Sequence, residues 1–423
     1  MENCLRVFKE SGQRYFANML NKNKAENLSE AFYPFILGEV LSAEDAGLTY
    51  FQGASMIISR TPYRISFLGG GTDYHPWYQQ HGAAVFATSI NHYCYITVRT
   101  LPPFFKHTSR IVWSKVEEVT AHHLIEHPSV RATLEYLKIG HGVEISHQGD
   151  LPARSGLGSS SAFTVGLLHA LYAAQGRMIG KRELACEAVH IERDLLKENV
   201  GVQDQIQTAH GGLNKIDIHK NGEFTVNPLI LPPARLKNFQ DHLLLFFTGL
   251  SRTASEIAGE KIKAIAKKEQ ELHQMQAMVD IGIDIVTKQN DIADFGHLLH
   301  EAWQLKRSLT DKISTSFIDE VYKKAISAGA LGGKILGAGG GGFILFFAKP
   351  EQHTAIKAAL PHLLHVPFQF ENSGSQIIFY DSPRYIPSEL ANRNYHHLNS
   401  SAPDMKQPVH NKPRDRIAWV PVE

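Results

Sequence analysis

The sequence has little cysteine: Cys4, Cys94 and Cys186 are the only three in 423 residues, and their spacing fits neither a zinc site nor a redox pair. An odd, widely spaced set argues against a disulfide-stapled secreted scaffold and suits a reducing compartment, so the cytoplasm is the expected location. Long hydrophobic runs are missing as well. The longest apolar stretches, such as Leu243–Phe247 and Phe343–Ala348, fall far short of the roughly 20 residues a membrane helix needs. Met1–Arg14 carries charges and lacks an apolar core with a small-residue cleavage site, so no signal peptide is expected. No charge is in excess: 43 Lys and Arg face 42 Asp and Glu, which removes any global field toward nucleic acid or an anionic membrane. A repeat of fixed period is also absent, excluding a solenoid or propeller.

What is present is length enough for two cores. Residues 1–55 hold no glycine-rich site and read as an N-terminal extension. Met56, directly before the apolar pattern Ile57–Leu68, is expected to be the true or an alternative start. From there strand patterns (Ile57–Leu68, Ala83–Arg99, Val143–His147) alternate with helix patterns (Ser160–Ala174, Lys181–Lys197), giving a mixed domain over 56–225. A second domain over 226–382 opens on the strand Leu243–Phe247. It continues through helices near Arg252–Lys288, Ile292–Asp311 and Thr315–Ala328 to strands at Lys334–Leu336 and Gly342–Ala348. Asp381–Glu423 holds six of the nineteen prolines, so 383–423 reads as a flexible tail without a core.

Three glycine-rich segments stand out. Leu151–Ala162 (LPARSGLGSSSA) leads from a strand into an apolar helix. Its glycines let the backbone approach an anion, and the free amides and dipole of the helix start favour phosphate. An ordinary capped helix start has the same chemistry. Neither the dinucleotide nor the Walker pattern fits, since Ser161 stands where a third glycine is needed and Ile335 follows Gly332-Gly333-Lys334. The run Gly69–Asp73 (GGGTD) ends a strand and presents Thr72 and Asp73 to sugar hydroxyls, or is simply a turn. Gly337–Gly342 (GAGGGG) joins two strands, either for close approach of a backbone or ligand, or as a bulged hairpin.

Taken in order, the three segments closely resemble the signature motifs of the GHMP kinases, the superfamily of galactokinase, homoserine kinase and mevalonate kinase. The resemblance covers about Ile57 to Tyr380. It is most specific at Pro152–Ala162, while Gly69–Asp73 is most like the D-glycero-D-manno-heptose 7-phosphate kinases. It implies an α+β two-domain fold, with an N-terminal ribosomal-protein-S5-like domain and a C-terminal helix-rich α/β sandwich. It also implies ATP and Mg2+ as nucleotide and metal, and a sugar phosphate as acceptor, without nucleic acid or membrane; a homodimer stays open. By resemblance, Pro152, Ser155, Gly156, Leu157, Gly158, Ser159, Ser160 and Ser161 would cradle the nucleotide, with Gly339 and Gly340 of the third loop beside them. Ser160 and Glu192 would ligate the metal, and Asp204, in a Gly-x-x-Asp-Gln segment, would be the base with Arg64 balancing its charge. Gly71, Thr72 and Asp73 would bind the sugar. An unphosphorylated hexose or deoxysugar as acceptor, or a silent sugar or nucleotide sensor, are the competing readings.

Some residues speak for themselves. On a helix over Lys181–Lys197, Glu192 falls in the apolar arc with Leu184, Ala185, Ala188, Val189, Ile191, Leu195 and Leu196. A carboxylate turned into a core needs a metal or a buried arginine. Asp204 is a base or a helix N-cap. Arg252, at a strand-to-helix turn, is a clamp for a substrate phosphate or an exposed arginine. His122, His123, His127, His141 and His147 show no ligand constellation and read as scattered surface histidines.

Overall fold

The computed structural model describes residues 56–101, 105–249, 258–260, 262, 265–288 and 291–381. Arg252 and the extensions at 1–55 and 383–423 lie outside them, as does the start of the expected helix at Arg252–Lys288.

The first sheet is built on a long antiparallel pair, β1 (Met56–Leu68) and β2 (Ala83–Thr100), in register from Met56 opposite Arg99 to Leu68 opposite Phe86. Its register slips at Pro62, which has no N–H to give the ladder, and again before Leu68. The main path runs β13-β1-β2-β5-β3-β4, with β3 at Ser109–Val112, β4 at Val116–Val119, β5 at Val143–Gly149 and β13 at Gln376–Tyr380. Strand β6 (Leu213–Ile218) pairs with the first half of β2 and with β7 (Phe224–Pro228), and β12 (Phe370–Glu371) also pairs with β2.

Helices follow the chain order. Helix α1 is His75–His81, α2 is Pro128–Tyr136, α3 is Ser159–Ala174, α4 is Lys181–Val189 and α5 is Gln203–His210. Helix α3 is apolar on nearly every side because it lies against β1 and β2 and is covered by α4 and α5. It comes so close to β1 that a Cβ on Gly166 would stand 2.9 Å from the Thr61 hydroxyl.

After α6 (Pro233–Asp241) the second sheet runs β11-β8-β10-β9, all antiparallel, with β8 at Leu243–Phe247, β9 at Ala330–Ile335, β10 at Phe343–Ala348 and β11 at Leu364–His365. Helices α7 (Glu269–Thr287), α8 (Ala293–Ser308) and α9 (Ser316–Ser327) come between β8 and β9, and α10 (His353–Ala359) follows β10. Strand β9 begins four residues before the expected strand at Lys334, across two glycines that weigh against a strand in the sequence. The reason is close packing, since a Cβ on Gly332 would meet the Gly296 carbonyl of α8 at 2.0 Å.

An aromatic cluster joins the two sheets. Phe67 of β1 and Phe86 of β2 meet Phe239 and Phe295, and these meet Phe347 of β10, with centroids 4.9–6.3 Å apart. The division at 225/226 falls inside β7, and residues 226–382 are not confined to the second sheet. Their last strands return to the first, where β13 supplies hydrogen-bond partners to the outer edge of β1.

Candidate functional site

The site begins where three strands end. Strand β5 runs out into the loop before α3, and Gly156 (φ 87°) and Gly158 (φ 73°) turn it in left-handed conformations, Gly158 at the helix N-cap. The third glycine run lies directly on this loop. A Cβ on Gly156 would sit 2.6 Å from the Leu336 carbonyl oxygen, and one on Gly342 would sit 2.1 Å from that of Ser155. Here the glycine density serves the approach of two backbones, fixed by the Phe343 amide donating to the Ser155 carbonyl at 3.0 Å. Gly339 and Gly340 face Ile313, whose carbonyl accepts from the Gly340 amide, while Gly337 and Ala338 form the cavity wall.

The first glycine run closes β1. The Thr72 hydroxyl donates to the Gly69 carbonyl at 2.8 Å, so it is spent inside the turn, whereas Gly71 and Asp73 line the cavity. The Asp73 carboxylate is buried and accepts from the amides of Gly71 (2.9 Å) and Gln203 (3.4 Å). Burial raises its pKa, with the charge of Asp204 adding to the shift.

Asp204 lies in the first turn of α5, where Val202 holds the N-cap position, so it is not the cap. Its two carboxylate oxygens accept from Arg64 Nε (2.7 Å) and Nη2 (2.6 Å), a bidentate pair, and Arg64 Nη1 donates to the Gly156 carbonyl at 2.7 Å. The guanidinium thus ties the carboxylate to the glycine loop. Arg64 is buried in β1; the Asp204 side chain keeps 25% of its surface open on the cavity.

Helix α4 passes into a π-helical turn over His190–Leu195. The wider turn keeps Glu192 fully buried but shifts the face that follows, so Leu195 is exposed rather than in the apolar arc. The Glu192 carboxylate accepts from the hydroxyls of Ser161 (2.9 Å) and Thr164 (2.8 Å) and from the Gln205 amide. Its hydrogen-bond partners are neutral, so the buried arginine considered above is not among them. Burial, with the charge of the nearby Glu198 carboxylate adding to it, pushes its pKa up to about 7. Two carboxylates that both resist ionisation, beside the exposed Ser160, are a donor set of hard oxygens that fits a divalent cation such as Mg2+. Glu198 lines the cavity directly; Glu192 lies buried behind Ser161, which lines it.

These groups share one cavity of about 820 Å³, the size of a small-molecule site. Pro152 is exposed at its rim, Ser155 donates to the Pro152 carbonyl, the Leu157 carbonyl accepts from the Arg64 amide, and Ser159 accepts from the Arg154 amide.

Sequence reasoning missed two parts of the wall. Lys306 of α8 donates to the carbonyls of Ile335 and Gly337, and Lys334 of β9 to that of Phe67, placing two buried ammonium groups near the glycine loops. The other part is an aromatic slot. His127 stacks on Phe163 at 4.7 Å, with Trp113 and His147 edge-on around the pair. His127 and His147 are therefore cavity residues, not scattered surface histidines, and burial lowers the His127 pKa to about 4, leaving its ring neutral. No local signal marks either part, because strands and helices far apart in sequence assemble both.

Residues 124–212 match the family model described as GHMP kinases N terminal domain, and residues 284–365 match GHMP kinases C terminal. The chain is 28% identical over 322 residues to a D-glycero-alpha-D-manno-heptose 7-phosphate kinase of Campylobacter jejuni, spanning 71% of this chain and 92% of that one. It is also 28% identical over 226 residues to an L-fucokinase/L-fucose-1-P guanylyltransferase of Bacteroides fragilis, covering 52% of this chain and 23% of that protein. Among solved structures, a D-glycero-D-manno-heptose 1-phosphate kinase from Bacteroides thetaiotaomicron superposes with a TM-score of 0.63 at 24% identity, over 77% of this chain and 100% of that one, a likeness of fold. The chain thus carries the N- and C-terminal domains of the GHMP kinases in order, and with them the character of a phosphotransferase.

Proposed function

We propose that the chain transfers the γ-phosphoryl group of ATP to the anomeric hydroxyl of a sugar phosphate, with D-glycero-D-manno-heptose 7-phosphate giving the 1,7-bisphosphate. The observation that carries this reading is the Arg64–Asp204 pair, held against the glycine loop and facing the same cavity as Asp73.

The neutral aromatic slot of Trp113, His127 and Phe163 suits a purine base, and the amides at Gly156–Ser161 suit the phosphates that follow it. Asp73 orients sugar hydroxyls. Asp204 accepts the proton of the anomeric hydroxyl as its oxygen bonds to the γ-phosphorus and the bond to ADP breaks. Arg64 fixes the carboxylate in place and balances its charge. Ser160 and Glu192, with Glu198, would hold Mg2+, which when bound neutralises phosphate charge. Lys306 and Lys334, bonded to carbonyls beside the glycine loops, add positive charge to the wall of the cavity.

A panel of sugars and sugar phosphates assayed for ADP release with ATP and magnesium tests the reading. Turnover on the heptose 7-phosphate above all plain sugars is the expected result. Turnover on plain sugars alone removes the phosphate from the acceptor, and silence on the whole panel removes the sugar.

A further inference from the structure

A second cluster of donor atoms lies on the outer side of the substrate turn. His81 is the last residue of α1, and Glu269 and His273 stand four apart at the start of α7, on one face of that helix. His81 Nε2 and His273 Nε2 each lie 3.7 Å from the same oxygen, Glu269 Oε1, and one donor atom from each residue falls within 4.8 Å of the others. Two imidazoles and one carboxylate are the donors that borderline divalent ions prefer; magnesium, which takes hard oxygens, is disfavoured.

The rings are held for this from behind. Trp77, one turn before His81, is buried, and its indole donates to Gln276 Oε1 at 3.2 Å. The His81 ring stacks flat on the indole at 4.2 Å, and the His273 ring meets its edge at 4.8 Å. The two imidazoles stand almost perpendicular, at 88° with centroids 4.8 Å apart. The outer side is open: 23% of the His81 side chain and 53% and 58% of those of His273 and Glu269 are accessible. An ion can enter from solvent and complete its shell with water. Tetrahedral zinc at its usual bond lengths sets donors about 3.3 Å apart. Small rotations of the two exposed side chains close that gap.

From this juxtaposition we propose that His81, Glu269 and His273 form a binding site for a zinc-type divalent ion, separate from the magnesium chemistry of the cavity. The site bridges two helices that frame the substrate turn. Helix α1 begins two residues after Asp73, and α7 lies against the turn, with Leu272 beside Gly71 and Val279 beside Gly69. Occupancy therefore fastens the two supports of the turn to each other without touching the reacting groups.

Calorimetric titration of the full chain with zinc, in excess magnesium, tests this. One zinc site in the wild type, weakened by about 10- to 100-fold or more in both His81→Ala and His273→Ala and unaltered in His219→Ala, is the expected result. Cobalt(II) gives a second readout: a visible ligand-field band that zinc abolishes and that both variants lack. Metal-free melting curves matching the wild type show that the variants are folded; His273→Ala alone, on the exposed ring, decides the case if His81→Ala does not fold. The proposal is overturned if the wild type takes up no zinc, if both variants bind it as tightly, or if magnesium displaces it.

Discussion

Arg64 and Asp204, 140 positions apart, form a two-bonded ion pair at 2.6–2.7 Å, and the same guanidinium reaches the Gly156 carbonyl. One arginine thus sets the distance between the proposed base and the proposed phosphate cradle. Shortening it should harm both position and stability. Arg64→Ala leaves the partly buried Asp204 without its partner, at a cost of roughly 3 kcal/mol. Arg64→Lys keeps the charge but loses the fork, so thermal unfolding should place it between wild type and Arg64→Ala.

Glu192 makes stability depend on pH in a defined direction. Its folded pKa, about 7, lies above the ordinary 4.5, so the folded chain keeps a proton that the unfolded chain releases. The resulting stabilisation is complete below about pH 4.5 and is lost as pH rises through about 7. Metal-free melting temperatures should therefore fall more steeply over that window in the wild type than in Glu192→Gln. Magnesium with nucleotide should reverse the trend by displacing the proton, seen as proton release on binding below pH 7 and its absence in the variant.

Gly201 has no room for a side chain, since a Cβ there would stand 1.9 Å from Asp73 Oδ2. Gly201→Ala must push the Asp73 carboxylate off its amide donors. Steady-state kinetics should show the KM for the acceptor raised by about ten-fold or more, equivalent to one lost charge-assisted hydrogen bond, with the KM for ATP changed far less.

Trp113 borders the aromatic slot and also donates to Glu117 at 2.8 Å. Trp113→Ala should raise the KM for ATP several-fold and leave the acceptor KM unchanged, the reverse of Gly201→Ala. Equal effects on both substrates would place the base elsewhere.

How much of this was legible in the sequence follows from how local each cause is. Glu192 showed itself because a charge in an apolar arc is a contradiction visible along one helix. The π turn that exposes Leu195 is not, since helical periodicity assumes a constant pitch. The glycines at 337–342 left a close approach or a bulged hairpin open; resemblance set them beside the nucleotide loop, and the structure shows the approach to be to Ser155 and Gly156. Lys306 and Trp113 carried no signal, and Lys334 only a failed Walker match, because their carbonyl and ring partners belong to other elements. The return of β13 to β1 was hidden for the same reason: it is a long-range pairing that no window of sequence contains.

The most direct test of the central claim is a single-turnover reaction with ATP and the heptose 7-phosphate, followed by phosphorus NMR, in the wild type and in Asp204→Asn. The account predicts a new phosphate on the anomeric carbon, formed at least about 100-fold more slowly by Asp204→Asn, with nucleotide affinity retained. Transfer to a different hydroxyl, or an undiminished rate in the variant, would contradict it.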